Sequence, residues 1–348
     1  MTIKVLVVDD SALIRQLLSQ IIDSAPGLRL VGAAPDAYVA KKMVLEYEPD
    51  VITLDIEMPK VNGLRFLEVL MQAKPIPVLM ISTLTQQGAD ATFRSLELGA
   101  IDFIPKPKLG VAQGIKDYSE LIVSKIQTVA KAYVRKPRKL PLTSTAKVQF
   151  SGTEKILAIG ASTGGTEAIK HVLSGLPGNA PATVITQHMP PGYTSTFAKR
   201  LDSCCAMQVR EAKGGERLLP GYAYLAPGDK HMVVERSGAD YRIVLDDGMR
   251  VTGHKPSVDK LFDSLASAAG SNVVATLLTG MGKDGAAGML KLKQEGASTF
   301  CQDKDSCVVF GMPKAAIDLG AADHVVSLEK MSARLIDEFV RIGAGSRL

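Results

Sequence analysis

The sequence predicts an α/β protein of two doubly wound parallel-sheet domains, the second carrying an inserted antiparallel β-ribbon. Three observations predict it: short apolar runs alternate with amphipathic helical stretches from Ile3 onward, a basic proline-broken stretch interrupts them, and the alternation resumes at Lys155. Length agrees with two domains. The chain has 348 residues, whereas single cores stop growing at ~250–300.

In order along the chain, the first strand runs are Ile3–Val8, Leu28–Ala33, Val51–Asp55, Val78–Ser82 and Ile101–Ile104, with helical periodicity between them. Such β–α repeats form a five-stranded parallel sheet that takes its ligands beyond the carboxyl ends of the strands. The segment 126–152 reads as a linker between domains at 1–125 and 153–348, because Lys131, Arg135, Lys136, Arg138, Lys139 and Lys147 fall there among prolines and hydroxyl residues. In the second half, Lys155–Ile159 precedes a Gly-rich turn, Thr183–Thr186 precedes a helix pattern, and Val273–Leu278 precedes another Gly-rich turn and helix. Between them lie Tyr222–Leu225, Met232–Glu235 and Tyr241–Leu245. The turn sequences separating these three runs make them antiparallel strands in this reading.

The net charge is +5, but the six linker cations account for it; without them the remainder carries −1. Basicity therefore belongs to one segment and not to a folded face, so nucleic acid is not an expected partner. With 46% hydrophobic and 22% charged residues the chain has the balance of a soluble globular protein. It lacks the ~18-residue apolar run that a spanning helix needs, and its N-terminal apolar run is too short for a signal peptide. A cytoplasmic monomer without membrane insertion is expected. Cys204, Cys205, Cys301 and Cys307 show neither a CxxC pair nor metal-ligand spacing, so they are read as reduced thiols.

Asp9 and Asp10 follow the first strand run and Asp55 ends the third, so a parallel sheet gathers three carboxylates at one rim. A hard, oxygen-seeking cation such as Mg²⁺ offsets their repulsion. Lys106, after the fifth run, reaches the same rim as a phosphate partner, and Ser82 supplies a hydroxyl from the fourth. An attacking carboxylate, a metal and a lysine together make a phosphoaspartate site. Pro105 removes a backbone donor just before Lys106, so irregular pairing is expected there.

These residues, with Asp55-Ile56-Glu57-Met58-Pro59-Lys60-Val61-Asn62-Gly63 and Lys106-Pro107, make residues 1–125 resemble the receiver domain of two-component response regulators. The resemblance implies that Asp55 accepts phosphate from a histidine kinase and that Asp9, Asp10 and Asp55 hold Mg²⁺. It also implies that Ser82 and Phe103 form the phosphate-responsive switch beside Lys106.

Gly160-Ala161-Ser162-Thr163-Gly164 matches G-x-S-x-G between a strand run and a helix run, which puts Ser162 on a tight turn at a helix N-terminus. A dinucleotide-binding loop is the competing reading, but it wants an acidic residue at the end of the second strand. Gln187-His188 stands there instead. His188 suits a general base; His171, nine residues along the helix, is carried more than ~10 Å away. His231 and His324 begin strand runs and are read as surface or edge residues, whereas His254 remains a candidate substrate contact. Asp284 follows the Val273–Leu278 run at the same rim and can orient His188, besides serving as a helix cap. The order Ser, His, Asp differs from that of α/β-hydrolases.

The stretches Ile159–Thr166, Thr186-Gln187-His188-Met189-Pro190, Ala226-Pro227-Gly228-Asp229 and Leu278–Gly285 resemble the chemotaxis protein-glutamate methylesterases, and the similarity spans essentially the whole chain. It implies hydrolysis of glutamate methyl esters on chemotaxis receptors, glutamine deamidation, and a reaction that needs no cofactor. Ser162, His188 and Asp284 occupy the triad positions, with backbone oxyanion donors at Thr163 and Met281. It implies further that the receiver covers Ser162 until Asp55 is phosphorylated.

Overall fold

The computed structural model describes residues 2–83, 85–107, 112–132, 148–150 and 154–347. Two compact units make up the chain, Met1–Arg138 and Lys139–Leu348. Residues 133–147 and 151–153 of the expected linker lie outside the described residues.

The first unit runs β1 (Ile3–Val8), α1 (Ala12–Ser24), β2 (Leu28–Ala34), α2 (Ala37–Tyr47), β3 (Val51–Asp55), α3 (Gly63–Ala73), β4 (Val78–Ser82), α4 (Gln86–Glu97), β5 (Asp102–Pro105) and α5 (Ala112–Val129). All five strands pair in parallel in the order β2-β1-β3-β4-β5. Every residue of β3 and β4 is buried, as an apolar run must be when helices cover both sheet faces. Side-chain caps start the helices that leave the functional rim: Ser11 accepts from Ile14 N–H, Asn62 from Arg65 N–H and Thr85 from Gly88 N–H. The chain departs from β1 toward β2 on one side and toward β3 on the other, so the β1–β3 rim is the switch point of the sheet. Pairing at Pro105 persists. β5 is an edge strand, where a missing donor is tolerated, and Lys106 N–H donates to Ser82 O at 2.7 Å. The last helix continues to Val129, beyond the boundary expected at 125.

The second unit opens with β6 (Val148–Phe150), β7 (Ile156–Ala161), α6 (Gly165–Ser174), β8 (Ala182–Gln187), α7 (Thr194–Cys204), β9 (Gln208–Glu211) and β10 (Tyr222–Leu225). It continues with β11 (His231–Ser237), β12 (Asp240–Asp246), α8 (Val258–Ala268), β13 (Val273–Leu277), α9 (Ala286–Gln294), β14 (Ser298–Gln302), α10 (Met312–Asp318), β15 (His324–Val326), α11 (Leu328–Arg341) and β16 (Gly345–Arg347). Seven strands form a parallel sheet in the order β15-β14-β13-β7-β8-β10-β9. β11 and β12 form the antiparallel ribbon, whose Met232, Val234, Tyr241 and Ile243 join Val258, Leu261 and Phe262 of α8 in the core. β16 closes on β6 as a second antiparallel pair.

One strand departs from expectation. Tyr222–Leu225 lies in the main sheet, parallel to β8 and β9, and not in the ribbon. A four-residue run is too short for its period to reveal its partner, and the turn that follows leads out of the sheet. There Gly228 packs on the loop after β8, so closely that a Cβ would meet the Pro190 carbonyl carbon at 2.4 Å. Among the described residues no helix is long and apolar enough to cross a membrane.

Candidate active site

The second sheet reverses its direction of growth between β7 and β13, and three loops leave the strand ends around that point. Ala161 pairs with Gln187 in parallel register, so Ser162 and His188 leave neighbouring strands that lie ~4.8 Å apart. His188 N–H donates to Ala161 O at 3.1 Å, and Ser162 N–H to Thr279 O at 3.0 Å. These bonds tie the loops after β8 and β13 to the serine turn. Small residues let them approach: Gly164 adopts φ 77°, and a Cβ on Gly280 would meet the Ser162 Cβ at 2.8 Å.

His188 Nε2 stands 2.7 Å from Asp284 Oδ2. Its other ring nitrogen, Nδ1, is buried without a hydrogen-bond partner. Asp284 is itself 1% exposed and accepts from Thr252 Oγ1 at 2.7 Å, Ser257 Oγ at 2.8 Å, Val258 N–H at 2.7 Å and Asp259 N–H at 3.2 Å. Burial by itself would raise its pKa, yet the bonds from His188, Thr252 and Val258 hold it well below the usual carboxylate range. The cap role is real but falls on a different helix: Asp284 serves the N-terminus of α8, while α9 starts at Gly285 without a side-chain cap.

The other histidines separate cleanly. His254 stacks on His188 with ring centroids 3.7 Å apart and planes 8° from parallel. His231 corrects the edge assignment, since it is fully buried, with Nε2 2.9 Å from Met249 O and Nδ1 accepting from Ser257 N–H. His324 packs on Phe300 at the start of β15, the end of the sheet away from Ser162. His171 lies on α6, where burial lowers its pKa and Glu329 opposes the shift.

Thr163 follows Ser162 and its carbonyl accepts from Thr279 Oγ1 at 3.0 Å. Met281, 40% exposed, follows Gly280, whose backbone bonds Val309 O, Gly311 N–H and Met312 N–H at 2.9 to 3.0 Å. With Ser162 N–H committed to Thr279, an oxyanion near Ser162 must take its donors from other backbone groups of these two turns.

In the first unit, one oxygen from each of Asp9, Asp10 and Asp55 lies within 4.8 Å of the others. Lys106 Nζ sits 2.8 Å from Asp55 Oδ2 and 3.4 Å from Asp9 Oδ2. Burial pushes the Asp55 carboxyl up to about 6 against the pull of Lys106. Asp9 Oδ2 and Asp55 Oδ1 are buried without hydrogen-bond partners, which fits a set that binds a cation. The Ser82 hydroxyl lies 2.6 Å from Thr92 Oγ1, and Phe103 meets Phe93 edge-on at 6.3 Å, both partners being on α4.

Residues 157–335 match the family described as CheB methylesterase, and residues 5–111 match the response regulator receiver domain. The chain is 55% identical over 349 residues to protein-glutamate methylesterase/protein-glutamine glutaminase 2 of Pseudomonas aeruginosa, with all of both chains covered. It belongs to the CheB protein-glutamate methylesterase family. The family's enzyme from Salmonella typhimurium is 53% identical over 348 residues, 99% of each chain. The crystal structure of the Thermotoga maritima CheB methylesterase catalytic domain, 40% identical, covers 54% of this chain and all of that one with a TM-score of 0.53.

Residue patterns alone missed part of this candidate site. Thr252 and Ser257 reach Asp284 from the segment before α8, and Thr279 and Gln187 bind the backbone of the serine turn. Only Ser257 left a signal, as the cap of a helix start, because hydroxyl and amide groups acquire these roles through tertiary contacts.

Proposed function

We propose that this chain demethylates glutamate methyl esters on chemotaxis receptors, releasing methanol, and deamidates receptor glutamines by the same acyl transfer, with phosphorylation of Asp55 as the activating signal. The relatives' names, methylesterase and glutaminase, support both reactions, and the receiver match supports a histidine kinase as phosphodonor. The observation that carries the reading is the His188–Asp284 pair at 2.7 Å, whose remaining imidazole nitrogen is buried and unpartnered at the strand end beside Ser162.

In this reading Ser162 Oγ attacks the ester carbonyl as its proton passes to His188 Nδ1. Backbone N–H groups of Thr163 and Met281 hold the oxyanion. Collapse of the tetrahedral adduct expels the methoxy group, which takes the proton from His188 and leaves as methanol. With a glutamine substrate the leaving group is ammonia. Water, deprotonated by His188, then attacks the acyl carbonyl, and the glutamate carboxylate departs as Ser162 regains its proton. Asp284 fixes the imidazole and stabilises its cationic form, and no cofactor enters the ester chemistry.

Asp55 is the phosphoryl acceptor of the other unit, with Asp9, Asp10 and Asp55 as Mg²⁺ ligands, supported by the closeness of one oxygen from each and by the buried Asp9 Oδ2 and Asp55 Oδ1, which lack hydrogen bonds. Bound there, Mg²⁺ neutralises the charge that accumulates between carboxylates and phosphoryl group. Lys106 holds the phosphoryl oxygens, while Ser82 and Phe103 respond to them. The protein in this reading is a cytoplasmic monomer.

Methanol release from methylated receptor, measured with and without a small phosphodonor, tests the proposal. Ser162→Ala should lose more than ~10³-fold under both conditions, and Asp55→Asn should retain basal turnover but lose the response. Full turnover by Ser162→Ala would sink the esterase assignment.

A further inference from the structure

A four-residue turn touches both members of the His188–Asp284 pair. Val251 and His254 bridge each other in antiparallel fashion, with N–H···O distances of 3.0 and 2.9 Å, and Thr252 and Gly253 between them have φ of 52° and 85°. Two consecutive positive φ values define the tightest hairpin turn, which glycine accepts and a β-branched residue resists. Thr252 is therefore held in a conformation unfavourable to it, and strain of this kind collects where function needs an exact placement. Its hydroxyl is the group that donates to Asp284 Oδ1 at 2.7 Å. Two residues later the same turn lays the His254 ring flat on His188, 3.7 Å away and within 8° of parallel. The chain then continues into Ser257 and Val258, which also donate to Asp284.

A single hydrogen bond from Nε2 to Asp284 leaves the His188 ring free to rotate about that bond. Rotation would move Nδ1, the nitrogen that the proposed reaction uses and that has no hydrogen bond of its own to hold it. A flat neighbour in van der Waals contact removes this freedom without competing for Nδ1, whereas a hydrogen-bonding neighbour would occupy the nitrogen that the reaction needs. The bond from Thr252 keeps the acid from following any such motion. Stacking and hydrogen bonding thus restrain the pair at two points through one short turn.

We propose that the Val251–His254 turn is a clip on the catalytic pair and that His254 is a positioning residue for ester hydrolysis, its ring fixing the plane in which His188 presents Nδ1 to Ser162. This rests on the assignment of His188 as general base. The clip differs from a substrate contact in what it controls: it acts on the chemical step and leaves receptor binding alone.

The test compares His254→Ala, His254→Leu and His254→Phe in the full-length protein, beside wild type and Ser162→Ala, with methanol release resolved into kcat and KM and a thermal unfolding curve for each. His254→Ala should lower kcat by about tenfold at unchanged KM, less than the ~10²-fold cost of displacing a reacting group by ~1 Å. His254→Phe, which keeps a flat ring, should recover most of that loss, and His254→Leu, of similar bulk but not flat, should not. Equal activity of the Leu and Phe variants would reduce His254 to a space filler and overturn the proposal, as would a loss that falls on KM or no loss at all. Should the Ala variant show no folded transition, the comparison of Phe with Leu decides. Retained activity in Ser162→Ala would instead overturn the underlying esterase reading, so the two failures are distinguishable.

Discussion

Asp284 Oδ2 accepts from His188 Nε2 at 2.7 Å while the same carboxylate caps the first turn of α8 through Val258 N–H at 2.7 Å and Asp259 N–H at 3.2 Å. One anion thus serves an imidazole and a helix N-terminus, and the helix end helps keep it ionised. Fold and site are coupled there.

Asp284→Asn separates charge from shape. An amide nitrogen cannot accept from Val258 N–H or His188, so the variant should lose activity by about 10⁴-fold, the scale seen when a triad aspartate becomes an amide. It should also lose about 1–3 kcal/mol of stability from the unsatisfied donors. Steady-state methanol release and denaturant unfolding check the two effects. Loss of activity at full stability would deny the helix-capping role.

Asp259, the next acid in this cluster, offers a pH test. Burial pushes its carboxyl up to about 6; the Gly288 N–H opposes the shift and the charge on Asp284 adds to it. The folded chain therefore holds the proton more tightly than the unfolded chain, whose carboxyl titrates near ~3.9. Its stabilising contribution is complete below ~4 and disappears as pH rises through about 6. Asp259→Asn, neutral throughout and still able to accept from Gly288, should match wild type in thermal midpoint at low pH and exceed it at neutral pH. Parallel profiles for the two proteins across that window would contradict a buried, protonated Asp259.

Parallel-sheet logic made strand ends readable in advance: β1, β3 and β4 have the expected bounds, because strands covered on both faces are continuous apolar runs. Sheet order was less legible. Tyr222–Leu225 finds its partner Thr183–Ile185 some forty residues earlier, and nothing in four residues announces that distance. The site divided in the same way. Ser162 and His188 directly follow strands and Asp284 lies in the loop after β13, the rim where α/β proteins concentrate their chemistry, and that position pointed to them together with the G-x-S-x-G motif and the family resemblance. Thr252 and His254 belong to a hairpin that folds back over the rim, and His231 is buried by backbone groups of Met249 and Ser257 that lie well along the chain. Those roles depend on tertiary contacts, which local pattern does not encode.

In the receiver unit, adjacent residues of α4 grip both proposed switch residues: Thr92 Oγ1 lies 2.6 Å from Ser82 Oγ and 2.7 Å from Gly88 O, and the Phe93 ring meets Phe103. Thr92 is fully buried, so this hydroxyl pair is shielded from water. A phosphoryl group on Asp55 that draws the Ser82 hydroxyl toward itself must first take it from Thr92. Thr92→Val keeps the branched shape and removes the hydroxyl, which weakens the resting arrangement by about 1 kcal/mol, one hydrogen bond. Half-maximal activation of methanol release should then need roughly fivefold less phosphodonor, while turnover at saturation stays at the wild-type level. An unchanged or raised phosphodonor requirement would show that the Ser82–Thr92 contact does not restrain the switch.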